Sequence, residues 1–267
     1  MRFALLLLLA ALVSSASAQA AALSASDLQT VGIEQRLGAT VPLDLTFRDE
    51  SGQPVRLGTY FGQRPVVLAL VYFSCPNLCT VTLNGLVEGV RALHAETGRD
   101  YDVVVVSIDP AESSTLAAEK KRTYTMRYGR PGSARGWHFL TGEAESIRQL
   151  AETVGFHFRF DDATRQFAHA SGIMVLTPTG KISRYFPGIE YPPRELQLAL
   201  TDASQQKIGT LADRLLLLCF HYNPATGRYG LIITRVVQFA GLGTVALLGL
   251  LIFELHRRAR RRAAFSV

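Results

Sequence analysis

Residues 66–83, VVLALVYFSCPNLCTVTL, pass from an unbroken apolar run straight into two cysteines that bracket a proline. Val66 to Phe73 has the length and the Val, Leu, Tyr and Phe content of a strand buried on both faces, as in the middle of a parallel sheet. Helical spacing follows at once. Leu83, Leu86, Val87, Val90 and Leu93 fall on one face of an amphipathic helix. Pro76 suits the first position inside that helix, where its missing N–H costs nothing. This puts Cys75 at or just before the cap and Cys79 about one turn on, both sulfurs at a helix N-terminus.

Unpaired N–H groups and the positive end of the helix dipole stabilise thiolate over thiol there, and thiolates bind soft metals. Cysteines four apart in a regular helix have Cβ atoms about 5–6 Å apart, whereas an unstrained disulfide wants roughly 3.8 Å. Spacing therefore leans towards a bridging metal. A disulfide stays open as the alternative, because Cys75 lies outside the helix and can swing inwards.

Outward from this stretch, Arg2, the apolar run Phe3 to Val13 and Ala16-Ser17-Ala18 read as an export signal over 1–18, cleaved after Ala18. The run is shorter than the ~20 residues that span a bilayer. The anchor is expected at the other end, over 231–255, followed by a basic tail at 256–267. Arg257, Arg258, Arg260, Arg261 and Arg262 in that tail mark the cytoplasmic side. The folded domain is thus expected on the periplasmic side of a cell inner membrane. The formal charge of +6 reflects this topology. Without Arg2, the five tail arginines and Glu254, 22 basic residues face 21 acidic ones, so nothing calls for a nucleic-acid partner. Three cysteines do not make a disulfide scaffold.

Residues 19–41 have weak pattern and read as an arm over the domain surface, and 42–207 as one domain. Leu43 to Phe47 and Val55 to Leu57 flank a turn-rich Asp49-Glu50-Ser51-Gly52 and read as a hairpin. Tyr101 to Ile108 is a second buried strand, ending in Asp109-Pro110, which reads as a helix cap with proline in the first turn. Helices are expected at Ser114 to Arg127, Thr141 to Val154, Pro193 to Gln206 and Leu211 to Leu218. Further strands are expected at Trp137 to Leu140, Phe156 to Phe160, Gly172 to Leu176 and Ile182 to Phe186. Strands alternating with helices and closing in a hairpin fit an α/β, thioredoxin-like domain. In such sheets the active turn lies at the carboxyl end of a central strand, where the cysteines already are.

Among the histidines, His169 stands out, in the loop Gln166 to Ser171 just before an apolar strand. In thioredoxin-like topology that loop approaches the cysteine turn. Redox members of the fold commonly carry a cis-proline there, and no proline occurs between Pro131 and Pro178. Two thiolates and an imidazole suit copper in either oxidation state. Zinc accepts the same ligands, but structural zinc normally takes four.

These motifs taken in order, YFSCPNLCTVTL, VVVVSIDP, FLTG and a single histidine before IMVLTPTGKISRYFPG, resemble the SCO/SenC family of cytochrome oxidase assembly proteins over about Val41 to Leu200. The resemblance implies a membrane-tethered, thioredoxin-fold copper metallochaperone with Cys75, Cys79 and His169 as ligands. Its implied partner is subunit II of a haem-copper oxidase, whose binuclear site receives the copper by ligand exchange; another copper carrier or a thiol reductant would act upstream. The alternative is a thiol-disulfide oxidoreductase using Cys75 and Cys79 to reduce the oxidase's cysteines before metallation. The chaperone itself requires no turnover chemistry.

This chain departs from the family in three places. Ala168 stands where an acidic residue often precedes the histidine. Ala111-Glu112-Ser113-Ser114 replaces a frequent Arg-Asp-Thr. The expected anchor is C-terminal, whereas relatives are typically tethered at the N-terminus. Cys219 and His221, at Cys-x-His spacing within the juxtamembrane segment 208–230, read as buried helical residues or as a second site. His94 and His138 read as packing or capping residues, His157 as a packed one, and Asp109 as a cap without chemistry.

Overall fold

The computed structural model describes residues 31–75, 78–162 and 164–209, together with 222–223, 228–229, 244 and 248; of 78 and 79 it describes the backbone. The expected signal and basic tail, the anchor apart from 244 and 248, the helix at 211–218, Pro76, Cys219 and His221 lie outside the described residues. Among the described residues no helix is long and apolar enough to cross a membrane.

Two apolar runs build the centre. β4 (Val66–Val71) and β5 (Asp102–Ser107) are buried at every position, each large aliphatic side chain contributing about 1.5–3 kcal/mol of burial. They pair in parallel from Val66↔Asp102 to Val71↔Ser107, and β6 (Trp137–Leu140) extends the parallel set beyond β5. On the other side β9 (Gly172–Leu176) runs antiparallel to β4, and β10 (Ile182–Pro187) antiparallel to β9. The five-stranded order is β10-β9-β4-β5-β6. The cysteine-bearing α1 (Leu78–Arg91) connects β4 to β5, and α2 (Ser114–Tyr128) connects β5 to β6. α3 (Ala144–Thr153) and α4 (Pro193–Ser204) complete the α-helices of the domain among the described residues. This is the α/β, thioredoxin-like arrangement expected, with β4 in the middle.

The hairpin β2 (Thr46–Arg48) and β3 (Pro54–Arg56) closes the β6 edge. Arg48 and Thr141 exchange backbone bonds of 2.7 and 3.0 Å, and the Glu50 carboxylate accepts from Phe139 N–H at 3.3 Å while pairing with Lys121. An otherwise open sheet edge is thereby capped.

A second small sheet lies beside the first, in the order β1-β7-β8. β1 (Gly32–Ile33) belongs to the arm and pairs with β7 (Phe156–Asp161). The arm continues along β10, where Gly38 N–H donates to Ile182 O and Ile182 N–H to Ala39 O, both at 2.9 Å. β8 (Gln166–His169) pairs with β7. The stretch expected as a loop through His169 is therefore a strand as far as His169. A second correction concerns Asp109. It accepts from Ala111 N–H at 2.9 Å within a separate turn, and the cap of α2 is Ser113, whose hydroxyl accepts from Leu116 N–H at 3.3 Å.

Candidate metal centre

The cysteine turn leaves the carboxyl end of β4. Tyr72 and Phe73 are buried, Ser74 is exposed, and Cys75 is 8% exposed. Cys75 N–H makes a 3.4 Å turn bond to Tyr72 O, and α1 opens at Leu78 with Cys79 as its second residue. Cys75 is outside α1 and Cys79 is in its first turn; the expected place of Pro76 at the helix start lies outside the described residues.

Glu112, in the turn after β5, reaches back to this segment. Oε2 accepts from Phe73 N–H at 2.8 Å, and Oε1 from Ser74 N–H at 2.6 Å. The buried Ser107 hydroxyl donates to Oε2 at 2.6 Å and accepts from Asp109 N–H at 3.1 Å. Sequence reading passed over Glu112, noting it only within the departure at 111–114. The signal that could have found it is a carboxylate a few residues beyond a central strand that ends beside the cysteine turn.

His169 ends β8 opposite Phe158. Counting on from the β4–β9 register, Val66↔Leu176 through Ala69↔Ile173, position 169 falls level with position 73. His169 is thus at the cysteine pole of the sheet. Its ring meets Tyr72 edge-on at 5.7 Å and lies 5.9 Å from the Phe156 ring. Tyr72 also meets Phe167, so one tyrosine of the cysteine turn is the floor for the end of β8. His169 Nδ1 is 2.7 Å from Ala170 O. A carbonyl only accepts, so Nδ1 carries the proton and Nε2 the lone pair. Burial holds the imidazolium form below its usual range, against the Ala170 carbonyl, which favours it. Near neutral pH the ring is neutral, the form that ligates metal.

The structure thus brings Cys75 and His169 to one pole and places the backbone of Cys79 in the same turn. Among the described residues there is no cluster of three or more His, Cys, Asp or Glu able to hold a metal; the expected triad needs the Cys79 side chain, which lies outside them. The other described histidines do different work. His138 packs on Tyr60 with ring centroids 4.3 Å apart, His157 Nε2 is 3.5 Å from Glu34, and His94 is exposed.

A central strand ending in a cysteine turn, followed by a helix and faced by a histidine strand, defines a thioredoxin-like α/β domain. The model of the SCO1/SenC family matches residues 34–204, and the chain belongs to that family. A putative copper-binding protein of Stutzerimonas stutzeri is 27% identical over 137 residues, 50% of this chain and 63% of its own length; the match therefore leaves more than a third of that relative unspanned. Among solved structures, a putative electron transfer protein from Aquifex aeolicus VF5 is similar at a TM-score of 0.56 and 25% identity, over 63% of this chain and 95% of that one. BsSco, described as a member of the Sco family of cytochrome c oxidase assembly proteins, shares the fold at a TM-score of 0.50 and 21% identity, over 66% of this chain and 99% of its own.

Proposed function

We propose that this chain is a copper carrier that serves assembly of the binuclear copper site in subunit II of a haem-copper oxidase. Copper is its cargo, held by the thiolates of Cys75 and Cys79 and by Nε2 of His169, and surrendered by exchange with the acceptor's own thiolates. The observation that carries this reading is the placement of His169 at the same pole as Cys75, its ring against Tyr72 of the cysteine turn and its Nδ1 2.7 Å from Ala170 O. Soft sulfur suits the reduced ion and imidazole the oxidised one. A relative named as copper-binding supports the cargo.

The domain is delivered by the export signal at 1–18 and held by the anchor at 231–255, with the domain in the periplasm. Gly209 leaves the domain with its N–H on Ser183 O at 2.9 Å, at the start of β10 and so at the sheet end remote from Cys75. Tethered there, the cysteine pole points away from its own attachment.

Thiol-disulfide exchange is the second reading, favoured by the position of Cys75 outside α1. In that case one cysteine thiolate attacks an acceptor disulfide, the other resolves the mixed disulfide, and the acceptor leaves as a dithiol while Cys75 and Cys79 become oxidised.

One experiment separates the two. The reduced full-length chain is loaded anaerobically with copper beside His169→Ala and the double variant Cys75→Ser, Cys79→Ser. One tightly held copper, with a thiolate-to-metal absorption band in the oxidised form that is altered in His169→Ala and lost in the double variant, is expected. Loading retained at one copper per chain in the double variant would move the cargo elsewhere, with Cys219 and His221 the first residues to test. Absence of retained copper, with ready disulfide exchange, would make the redox reading primary.

A further inference from the structure

Cys75 belongs to no helix or strand. Its amide makes a 3.4 Å turn bond, and a proline follows it. Regular structure therefore does little to set the direction in which its sulfur points. The two residues before it are held by the carboxylate of Glu112. Each oxygen takes one N–H, Oε2 from Phe73 at 2.8 Å and Oε1 from Ser74 at 2.6 Å. The Ser107 hydroxyl, 2.6 Å from Oε2, orients the carboxylate from the floor of β5, where Ser107 is fully buried. Charge-assisted bonds of this kind are short and roughly twice as strong as neutral ones. Only a carboxylate of this reach does the task. An amide offers one oxygen, and its NH2 group would face an N–H donor. Aspartate is one methylene too short to span both donors from the same backbone position.

We infer that Glu112 is a positioning residue of the metal centre: it clamps the main chain at Phe73 and Ser74 and so fixes the direction in which Cys75 presents its sulfur to copper. The inference rests on the carrier reading for its ligand and on the hydrogen bonds alone for its geometry. Glu112 itself is not a ligand. Its two carboxylate oxygens are occupied by donors from the turn and from β5, and it acts through Cys75.

The test compares the full-length wild type with Glu112→Gln and Ser107→Ala. Three quantities are read: amide exchange at Phe73 and Ser74, the rate at which iodoacetamide alkylates Cys75 in the metal-free reduced chain, and the rate of copper(I) loss to a competing chelator. Groups that orient metal ligands typically contribute about 10- to 100-fold in metal affinity. Glu112→Gln is expected to melt cooperatively as the wild type does, to exchange the two amides faster, to alter Cys75 alkylation and to lose copper at least ~10-fold faster. Ser107→Ala should shift all three the same way by less. Wild-type alkylation and copper loss in a folded Glu112→Gln chain would overturn the inference, and so would faster amide exchange with copper loss unchanged, since the clamp would then be structural only. If Glu112→Gln fails to fold, Ser107→Ala carries the same comparison, and unchanged rates overturn it. If the wild type itself retains no copper, the carrier reading fails, and Cys75 alkylation alone decides the clamp.

Discussion

Replacing Gly85 by alanine sets two opposed effects against each other at a place that ties the cysteine helix to the histidine strand. Gly85 lies in α1 with the loop 188–191 across it. A Cβ there would come 1.9 Å from Ile189 O and 3.0 Å from its carbonyl carbon, about 1.5 Å short of ordinary contact. The obstacle is backbone, so no rotamer change relieves it. Overpacking of this kind costs typically ~1–3 kcal/mol, occasionally more, and a backbone collision belongs at the upper end. Alanine regains about 1 kcal/mol of helix propensity over glycine. The net is a loss of about 2 kcal/mol, which for a domain of this size lowers the melting midpoint by about 4–8 °C. Gly89, one turn on, is the internal control. Its nearest neighbour would be Tyr191 O at 2.9 Å, also backbone but about 1.0 Å farther than the obstacle at Gly85, so Gly89→Ala is expected to cost clearly less than Gly85→Ala. The loop also reaches the site, since Gly188 N–H donates to Ser171 O at 2.8 Å, two residues beyond His169. Gly85→Ala should therefore also hasten copper loss. Thermal and urea denaturation of the metal-free chains measure the stabilities. Equal stability of Gly85→Ala and wild type, or greater loss at Gly89 than at Gly85, would refute the packing argument.

Two further outcomes are expected. Burial, with Lys121 reinforcing it, holds the His138 pKa below its ordinary 6.5, against Glu50 and Asp102, which raise it. The unfolded chain then binds the extra proton first. The contribution of His138 is present above pH 6.5, is lost as pH falls towards the folded value, and levels off below it. His138→Phe should flatten that part of the profile in melting midpoints from about pH 7.5 down to about pH 5; parallel profiles for variant and wild type would dismiss it. For topology, a reporter active only in the periplasm and fused after Val267 should be silent. Activity there would reverse the orientation.

Much of the sheet was legible because β4, β9 and the run Val103 to Val106 within β5 are apolar, and a run buried on both faces announces itself without needing its neighbours. β8 was not legible for the opposite reason. Gln166-Phe167-Ala168-His169 is half exposed and has no periodicity of its own; it becomes a strand because Phe158 to Asp161 pair with it. β1 is two residues long and exists through β7 alone. At Asp109 two helix starts competed. Asp-Pro is a strong local signal, yet residues 109–112 form their own turn, with Glu112 N–H on Asp109 O at 3.2 Å, because the Glu112 side chain is drawn back to the cysteine turn. The helix waits for Ser113. A long-range hydrogen bond thus decides a boundary that local chemistry alone would place four residues earlier.

The candidate site divides in the same way. Cysteines and a histidine are visible because few residue types ligate soft metals, whereas what holds them, the Glu112 carboxylate at the cysteine turn and the Ala170 carbonyl at His169, depends on the fold. Ala168 stands where relatives often have an acidic neighbour that could orient the histidine. The structure meets that need with a carbonyl, Ala170 O at 2.7 Å from Nδ1. The substitution is not chemically equivalent. A carboxylate partner raises the basicity of a ligating imidazole, while a neutral carbonyl does so weakly, and here burial prevails and the ring's pKa is lowered. Such an imidazole is neutral at neutral pH with its Nδ1 held by Ala170 O, yet a weaker donor than one backed by a carboxylate. Under the carrier reading this suits the task, because a cargo released by ligand exchange needs one ligand that yields first. On that reading the thiolates would supply the retention, and His169 would be the ligand whose surrender opens the way for the acceptor.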